Sequence, residues 1–252
     1  MHPVARLYER ENDFPLYRGG PKKTYMIAAI PRTGSTHLSI KLWNTGAMGA
    51  PMEYTNLSNR DRMIQRLGRG DSLTYWKRLK TVRTSPNGVF GFKAFVSDYR
   101  NIAANHEALL PMIESDKVIY LVRKDRVAQA VSYAKAVQTA AWFSGVEYKK
   151  EPEYDLKAML NAENWINQQE SAWEEIFQMT GTSPLRIYYE DFLADTEKSI
   201  MEIAKFLEIH PAEFHPLGLQ DIEKQSDQIS QEWARKFTEY KNTVGQSGDI
   251  AA

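Results

Sequence analysis

The sequence predicts a three-layer α/β fold, a central parallel sheet flanked by helices. Four short apolar runs, Tyr25–Ile30, Val89–Phe95, Lys117–Val122 and Leu185–Tyr189, alternate with longer helical patterns, the order that builds a parallel sheet covered on both faces. The first run passes through Pro31-Arg32-Thr33-Gly34-Ser35-Thr36 straight into a helix. That loop, Lys93 and Arg123 all fall at the carboxyl ends of predicted strands, where open parallel sheets bind their ligands.

Taken in order, residues 1–24 are polar and carry Pro15, Gly19, Gly20 and Pro21, which reads as an irregular arm. Tyr25–Ile30 is a buried-strand run that Pro31 stops. Gly34 can turn freely, Ser35 or Thr36 can cap the next helix, Leu38 and Leu42 share one face, and Gly46 can end it. Gly49-Ala50-Pro51-Met52-Glu53-Tyr54 is a turn-rich connector. Residues 57–83 hold Arg60, Arg62, Arg66, Arg69, Lys77, Arg78, Lys80 and Arg83 against Asp61 and Asp71. They read as a solvated helical face, or else as a rim that attracts an anionic cosubstrate. Pro86-Asn87-Gly88 leads into the second strand, which carries Lys93 near its end. A short helix is expected around His106–Ile113. Lys117–Val122 is the clearest buried strand, followed by Arg123 and a helix over about Val127–Phe143. Ser144–Tyr154 reads as a loop or lid. A second long helix, about Asp155–Thr180, ends at Gly181. Leu185–Tyr189 is the fourth strand, and Asp195 or Thr196 caps a helix carrying Ile200, Ile203, Ala204 and Leu207. Beyond residue 210 the chain reads as irregular, then as a polar helix near Gln228–Tyr240, then as a frayed Gly/Ser tail over about 241–252. All of it reads as one domain, 1–252.

A helix start leaves backbone N–H groups unpaired, with partial positive charge behind them. The 31–36 loop therefore reads either as a cradle for phosphate or sulfate or as an ordinary capped turn. Gly, Ser and Thr alone do not separate these, and Arg32 favours the anion. The pattern G-x-x-x-x-G-K-[ST] is absent, which argues against an ATPase or GTPase.

The chain is long enough, at 252 residues, for one sizeable core, and its composition of 42% hydrophobic and 25% charged residues is that of a globular protein. Lys+Arg and Asp+Glu both number 32, so no global field draws in nucleic acid and any anion site must be local. The absence of Cys excludes disulfides, thiolate zinc sites and Cys nucleophiles. The five histidines form no H-E-x-x-H pair, and no metal is expected. No stretch reads as a secretory core or a membrane span, so the expected location is cytoplasmic.

With these residues in place, the chain resembles the sulfotransferases that use 3′-phosphoadenosine 5′-phosphosulfate (PAPS), and more closely the bacterial trehalose 2-sulfotransferase family. PRTGST (31–36) is similar to the family's 5′-phosphosulfate loop, and KVIYLVRKDRVAQAVSYAKAVQTAAW (117–142) to its strand–helix with the 3′-phosphate site. RIYYEDFLAD (186–195) and KQSDQISQEWARKF (224–237) also match, and the resemblance spans about residues 25–240. It implies the P-loop NTPase-like sulfotransferase fold. It also implies that Arg32, Thr33, Gly34, Ser35 and Thr36 hold the 5′-phosphosulfate, that Arg123 and Ser132 hold the 3′-phosphate, with Lys124 able to share that role, and that Lys224 and Gln225 close over the adenosine. Many eukaryotic members place a His two residues after a strand Lys, where this chain has Phe95. The trehalose-type family uses a Glu in a P-x-E-Y stretch, which Pro51-Met52-Glu53-Tyr54 matches. Ala50, where an Arg is usual, and Thr55, where an aromatic is usual, depart from the pattern.

The implied reaction is in-line sulfuryl transfer from PAPS to a hydroxyl of a carbohydrate or glycolipid, releasing adenosine 3′,5′-bisphosphate (PAP), with no metal. Catalysis of this kind rests on positioning and charge stabilisation. Arg32, Lys93 and the loop N–H groups are the candidate stabilisers, and Glu53 is the candidate base. His37 and His106 are the other candidate bases. Trp142, Tyr148 and Tyr154 can stack on a sugar or serve as packing, and Gln138 and Lys135 are candidate acceptor or dimer contacts. The resemblance also implies a homodimer. Two other readings are a non-catalytic nucleotide-binding module and a small-molecule kinase; the latter is disfavoured by the missing Lys-[ST] pair.

Overall fold

A computed structural model describes residues 3–105, 115–143, 146–221 and 227–248. Its sheet has four parallel strands in the order β2-β1-β3-β4. They are β1 (Lys23–Ala29), β2 (Val89–Ala94), β3 (Lys117–Val122) and β4 (Leu185–Tyr188). β1 and β3 keep nearly continuous apolar sequence because both faces of the sheet are covered. The register sets Ile27 of β1 against Lys93 of β2 and Ile119 of β3. Lys93 therefore leaves the sheet at its carboxyl edge, as expected.

The helices are α1 (Ser35–Asn44), α2 (Leu57–Leu67), α3 (Ser72–Arg83), α4 (Val96–Asn105), α5 (Arg126–Thr139), α6 (Leu156–Thr180), α7 (Tyr189–Ala194), α8 (Thr196–Phe206) and α9 (Gln228–Gly248). The chain divides into two compact units. The first comprises Met1–Val122 and Ala172–Ile222 and contains the whole sheet. One face of the sheet buries Tyr25, Ile27, Ile119 and Leu121 with Leu38 and Leu42 of α1 and Ile203 and Leu207 of the α8 region. Trp173 and Phe177, stacked 5.6 Å apart, also lie in this unit, Phe177 edge-on to Tyr120 of β3 at 5.2 Å. The Trp173 indole donates to the Ala29 carbonyl at 3.0 Å.

The second unit comprises Arg123–Ser171 and Glu223–Ala252. Buried Lys135 of α5 binds Asp227, the residue ahead of α9, and lies 3.4 Å from the Ser230 hydroxyl. Arg126 pairs with Glu170, and Lys241 of α9 with Glu163 of α6.

Several expectations change. The N-terminal arm is not irregular: Pro3–Arg6 is a helical turn and Arg10–Asn12 a 3-10 turn. Residues 57–83 are not simply a solvated face, because Arg83 is fully buried between Asp13, at 3.2 Å, and the Trp43 ring. Gly34, not Ser35 or Thr36, stands at the N-cap of α1. Gly46 ends that helix at φ 71°, its N–H donating to the Trp43 carbonyl. Asp195 caps α8 as expected. Helices α4 and α7 are additions, while His106–Ile113 lies outside the described residues. The tail does not fray at 241, since α9 runs on to Gly248; lengthening an existing helix costs little per residue even through Gly. Among the described residues, no helix is long and apolar enough to cross a membrane.

Candidate functional site

The site grows from the turn that follows β1. Arg32 at φ 69° and Gly34 at φ 76° both take left-handed backbone, a strained choice for a residue with a side chain. A Cβ on Gly34 would lie 2.3 Å from the Tyr189 ring, so glycine is required there twice over. The buried Thr33 hydroxyl donates back to the Ile30 carbonyl at 2.8 Å and closes the turn. Helix α1 then begins with no side-chain cap bond at Gly34, leaving its first-turn N–H groups for a ligand.

Lys93 reaches this helix start from β2. Its side chain is 1% exposed, and Nζ donates to Thr36 Oγ1 at 2.9 Å while lying 2.8 Å from Glu53 Oε1. Glu53 meets Lys93 because the 50–54 connector adds one parallel bridge beside β2, pairing residue 53 with residue 93, and the Lys93 N–H donates to Met52 O at 2.9 Å. Tyrosine hydroxyls satisfy carbonyls of residues 48–54: Tyr25 on Met48, Tyr54 on Ala50, Tyr8 on Glu53 and Tyr75 on Tyr54. Burial pushes the Tyr54 phenol up to about 12, so it stays a donor.

Asp98 of α4 is the second acid beside the pair. Burial pushes its carboxyl above the usual range, and the charge of Glu53 pushes the same way. His37, by contrast, lies edge-on to Phe192 at 5.1 Å, and burial lowers its pKa. His106 lies outside the described residues, as do Lys224 and Gln225.

Arg123 and Ser132 belong to the second unit, Arg123 directly after β3 and Ser132 half-buried within α5. In the same unit Trp142 is 39% exposed and edge-on to Tyr133, which stacks on Trp165 at 4.5 Å. The Gln138 amide clamps the 146–154 loop: it donates to Glu153 O at 3.0 Å and accepts from Glu153 N at 2.8 Å. Lys135 lies 5.3 Å from the centre of the Tyr148 ring. Tyr154 packs edge-on against Trp233.

The structure thus brings Thr36, Lys93 and Glu53 together within the first unit. Asp98, Tyr8 and Tyr189 escaped the sequence reading. Only Asp98, near the end of a predicted strand, left a signal there. Helix N–H groups, an ammonium and a hydroxyl are donors of an oxyanion site, so Thr36, Lys93 and the start of α1 fit a phosphosulfate. Among the described residues, no group of three or more His, Asp or Glu is placed to hold a metal ion.

Residues 24–240 match the family model described as Stf0 sulphotransferase. A trehalose 2-sulfotransferase from Mycolicibacterium smegmatis is 27% identical over 252 residues, 84% of this chain and 93% of the relative. One from Mycobacterium tuberculosis is 26% identical over 85% of this chain and 94% of the relative. Among solved structures, a sulfotransferase from Alicyclobacillus acidocaldarius covers 86% of this chain and 92% of its own at 13% identity, with a TM-score of 0.49.

Proposed function

This chain belongs to the Stf0 sulphotransferase family, and from that membership we propose that it transfers a sulfuryl group from PAPS to a hydroxyl of a carbohydrate or glycolipid, with Glu53 as general base. The observation that carries the reading is the buried Lys93 ammonium, held between Thr36 at the start of α1 and the Glu53 carboxylate. Its relatives are named trehalose 2-sulfotransferases, which makes trehalose the first acceptor to test.

PAPS, when bound, supplies an activated sulfuryl group with a phosphate as leaving group. Arg32, Thr36 and the N–H groups after Gly34 hold the 5′-phosphosulfate, with Thr33, Gly34 and Ser35 shaping the loop. Arg123 and Ser132 hold the 3′-phosphate, and Lys224 and Gln225 the adenosine side. Glu53 takes the proton of the acceptor hydroxyl, whose oxygen electron pair then forms the new bond to sulfur. The old sulfur–oxygen bond breaks with its electron pair left on the phosphate, and Lys93 and Arg32 offset that charge. Trp142, partly exposed, is the ring a sugar would stack on, and Gln138 steadies the neighbouring loop. The assembly is a cytoplasmic homodimer that works without metal.

The test is incubation with labelled PAPS and a panel of carbohydrates headed by trehalose, read by mass spectrometry. Label on a sugar hydroxyl, with PAP formed in equal amount, is the expected result. PAP binding without turnover on any acceptor would leave only a nucleotide-binding module.

A further inference from the structure

The arm that precedes β1 passes the candidate base at Tyr8. Tyr8 is 1% exposed, its hydroxyl donates to the Glu53 carbonyl at 3.2 Å, and it accepts from Asn59 Nδ2 at 3.0 Å. Its ring stands edge-on to Tyr54 at 6.1 Å. Burial, with the charges of Glu53 and Tyr54 adding to it, pushes the phenol well above its ordinary value, so the hydroxyl keeps its proton.

The backbone around Tyr8 is pinned. Arg66 of α2 binds the Tyr8 carbonyl and the Asp13 carboxylate. Arg83 of α3 donates to the Leu7 carbonyl at 3.0 Å and pairs with Asp13 at 3.2 Å. Two buried or half-buried cations are a costly way to hold a merely decorative arm. Residue 8 also lies outside residues 24–240, the part that matches the family model.

We propose that Tyr8 is a positioning residue for Glu53: on the reading that Glu53 is the base, the Tyr8 hydroxyl fixes the residue-53 peptide and with it the place of the carboxylate beside Lys93. The connector has a single bridge to β2, so its register at residue 53 depends on such side-chain bonds. A small misplacement of a catalytic group costs rate steeply.

Tyr8→Phe keeps the ring and removes only the hydroxyl. Turnover of labelled PAPS on the acceptor found by the screen should fall about threefold to tenfold, the loss of one ordinary hydrogen bond. PAP affinity, read by calorimetry, should stay within about twofold, and the melting temperature should fall by no more than the few degrees that one hydrogen bond is worth. Made in a Glu53→Gln background, the same substitution should cost nothing further, because the two residues act as one unit. Unchanged turnover in Tyr8→Phe, or an undiminished loss in the Glu53→Gln background, overturns the role. So does a parallel fall in turnover, PAP affinity and melting temperature, which marks a brace of the fold. Normal turnover in Glu53→Gln alone overturns the base reading as well, whereas a loss there beside a normal Tyr8→Phe overturns only the Tyr8 role. If Tyr8→Phe does not fold, Asn59→Ala, which unfixes the hydroxyl but keeps the ring, serves the same comparison.

Discussion

If Glu53 is the base beside Lys93, as proposed, mutation can separate its part in the chemistry from nucleotide binding. Glu53→Gln keeps an oxygen for the Lys93 ammonium, which now lies 2.8 Å from Oε1, so the buried cation keeps a partner. PAP affinity should hold while kcat falls by roughly a hundredfold or more, because the amide accepts no proton. Near-normal kcat in that variant, with loss in His37→Ala instead, would move the base to His37. Arg123→Ala should weaken PAP far more than adenosine 5′-phosphosulfate, which lacks the 3′-phosphate, and calorimetry with both ligands decides it. Gly34→Ala is a structural prediction. The φ of 76° and the Tyr189 ring at 2.3 Å from a new Cβ both oppose it, and left-handed backbone alone costs about 1–2 kcal/mol. Urea unfolding should show at least that loss, and a wild-type midpoint would contradict the geometry.

Helices and strands differ in how plainly they announce themselves. β3 occupies Lys117–Val122, the range read from sequence, because a strand buried on both faces has no polar positions to blur it. The loop at 31–36 and Lys93 were legible from type and place, and Thr36 and Lys93 do meet; Glu53 stood out only through the P-x-E-Y resemblance. The arm was not. Its order comes from Arg83 and Arg66 gripping Asp13 and the Leu7 and Tyr8 carbonyls, pairings of long sequence separation that no local period records. Helix α7, six residues long, is too short to show one. The tie between α5 and α9 makes its own prediction. Burial alone would raise the Asp227 carboxyl, but hydrogen bonds from Lys135 and Ser230 and the charge of Lys135 outweigh it and hold it at about 2, below the usual 3.8. A depressed carboxyl contributes stability above its unfolded pKa and loses it as pH falls through the folded one. Thermal stability should therefore drop between about pH 4 and pH 2, and Asp227→Asn should flatten that part of the curve. An unchanged acid limb in Asp227→Asn would show that the tie contributes nothing.

For the molecule as a whole, charge is the organising quantity. Lys+Arg and Asp+Glu balance at 32 each, so the donor must be held by local groups rather than by a global field. A kinase meets the same problem with magnesium, which bridges the β- and γ-phosphate oxygens and neutralises the charge that develops there. On the proposed reading Lys93, Arg32 and the helix start supply that charge instead, and the sequence offers neither Cys nor a paired-His motif to bind a metal. Turnover of PAPS should therefore survive exhaustive chelation. In a thermal-shift series PAP should raise the melting temperature in the presence of EDTA, while ATP with magnesium should not. In sulfuryl transfer the negative charge that develops falls on the bridging oxygen left with the phosphate, a load that one buried ammonium and oriented N–H groups can offset. Activity lost on chelation and restored by one specific divalent ion, together with stabilisation by ATP–magnesium, would overturn the charge assignment to Lys93 and return the fold to phosphoryl chemistry.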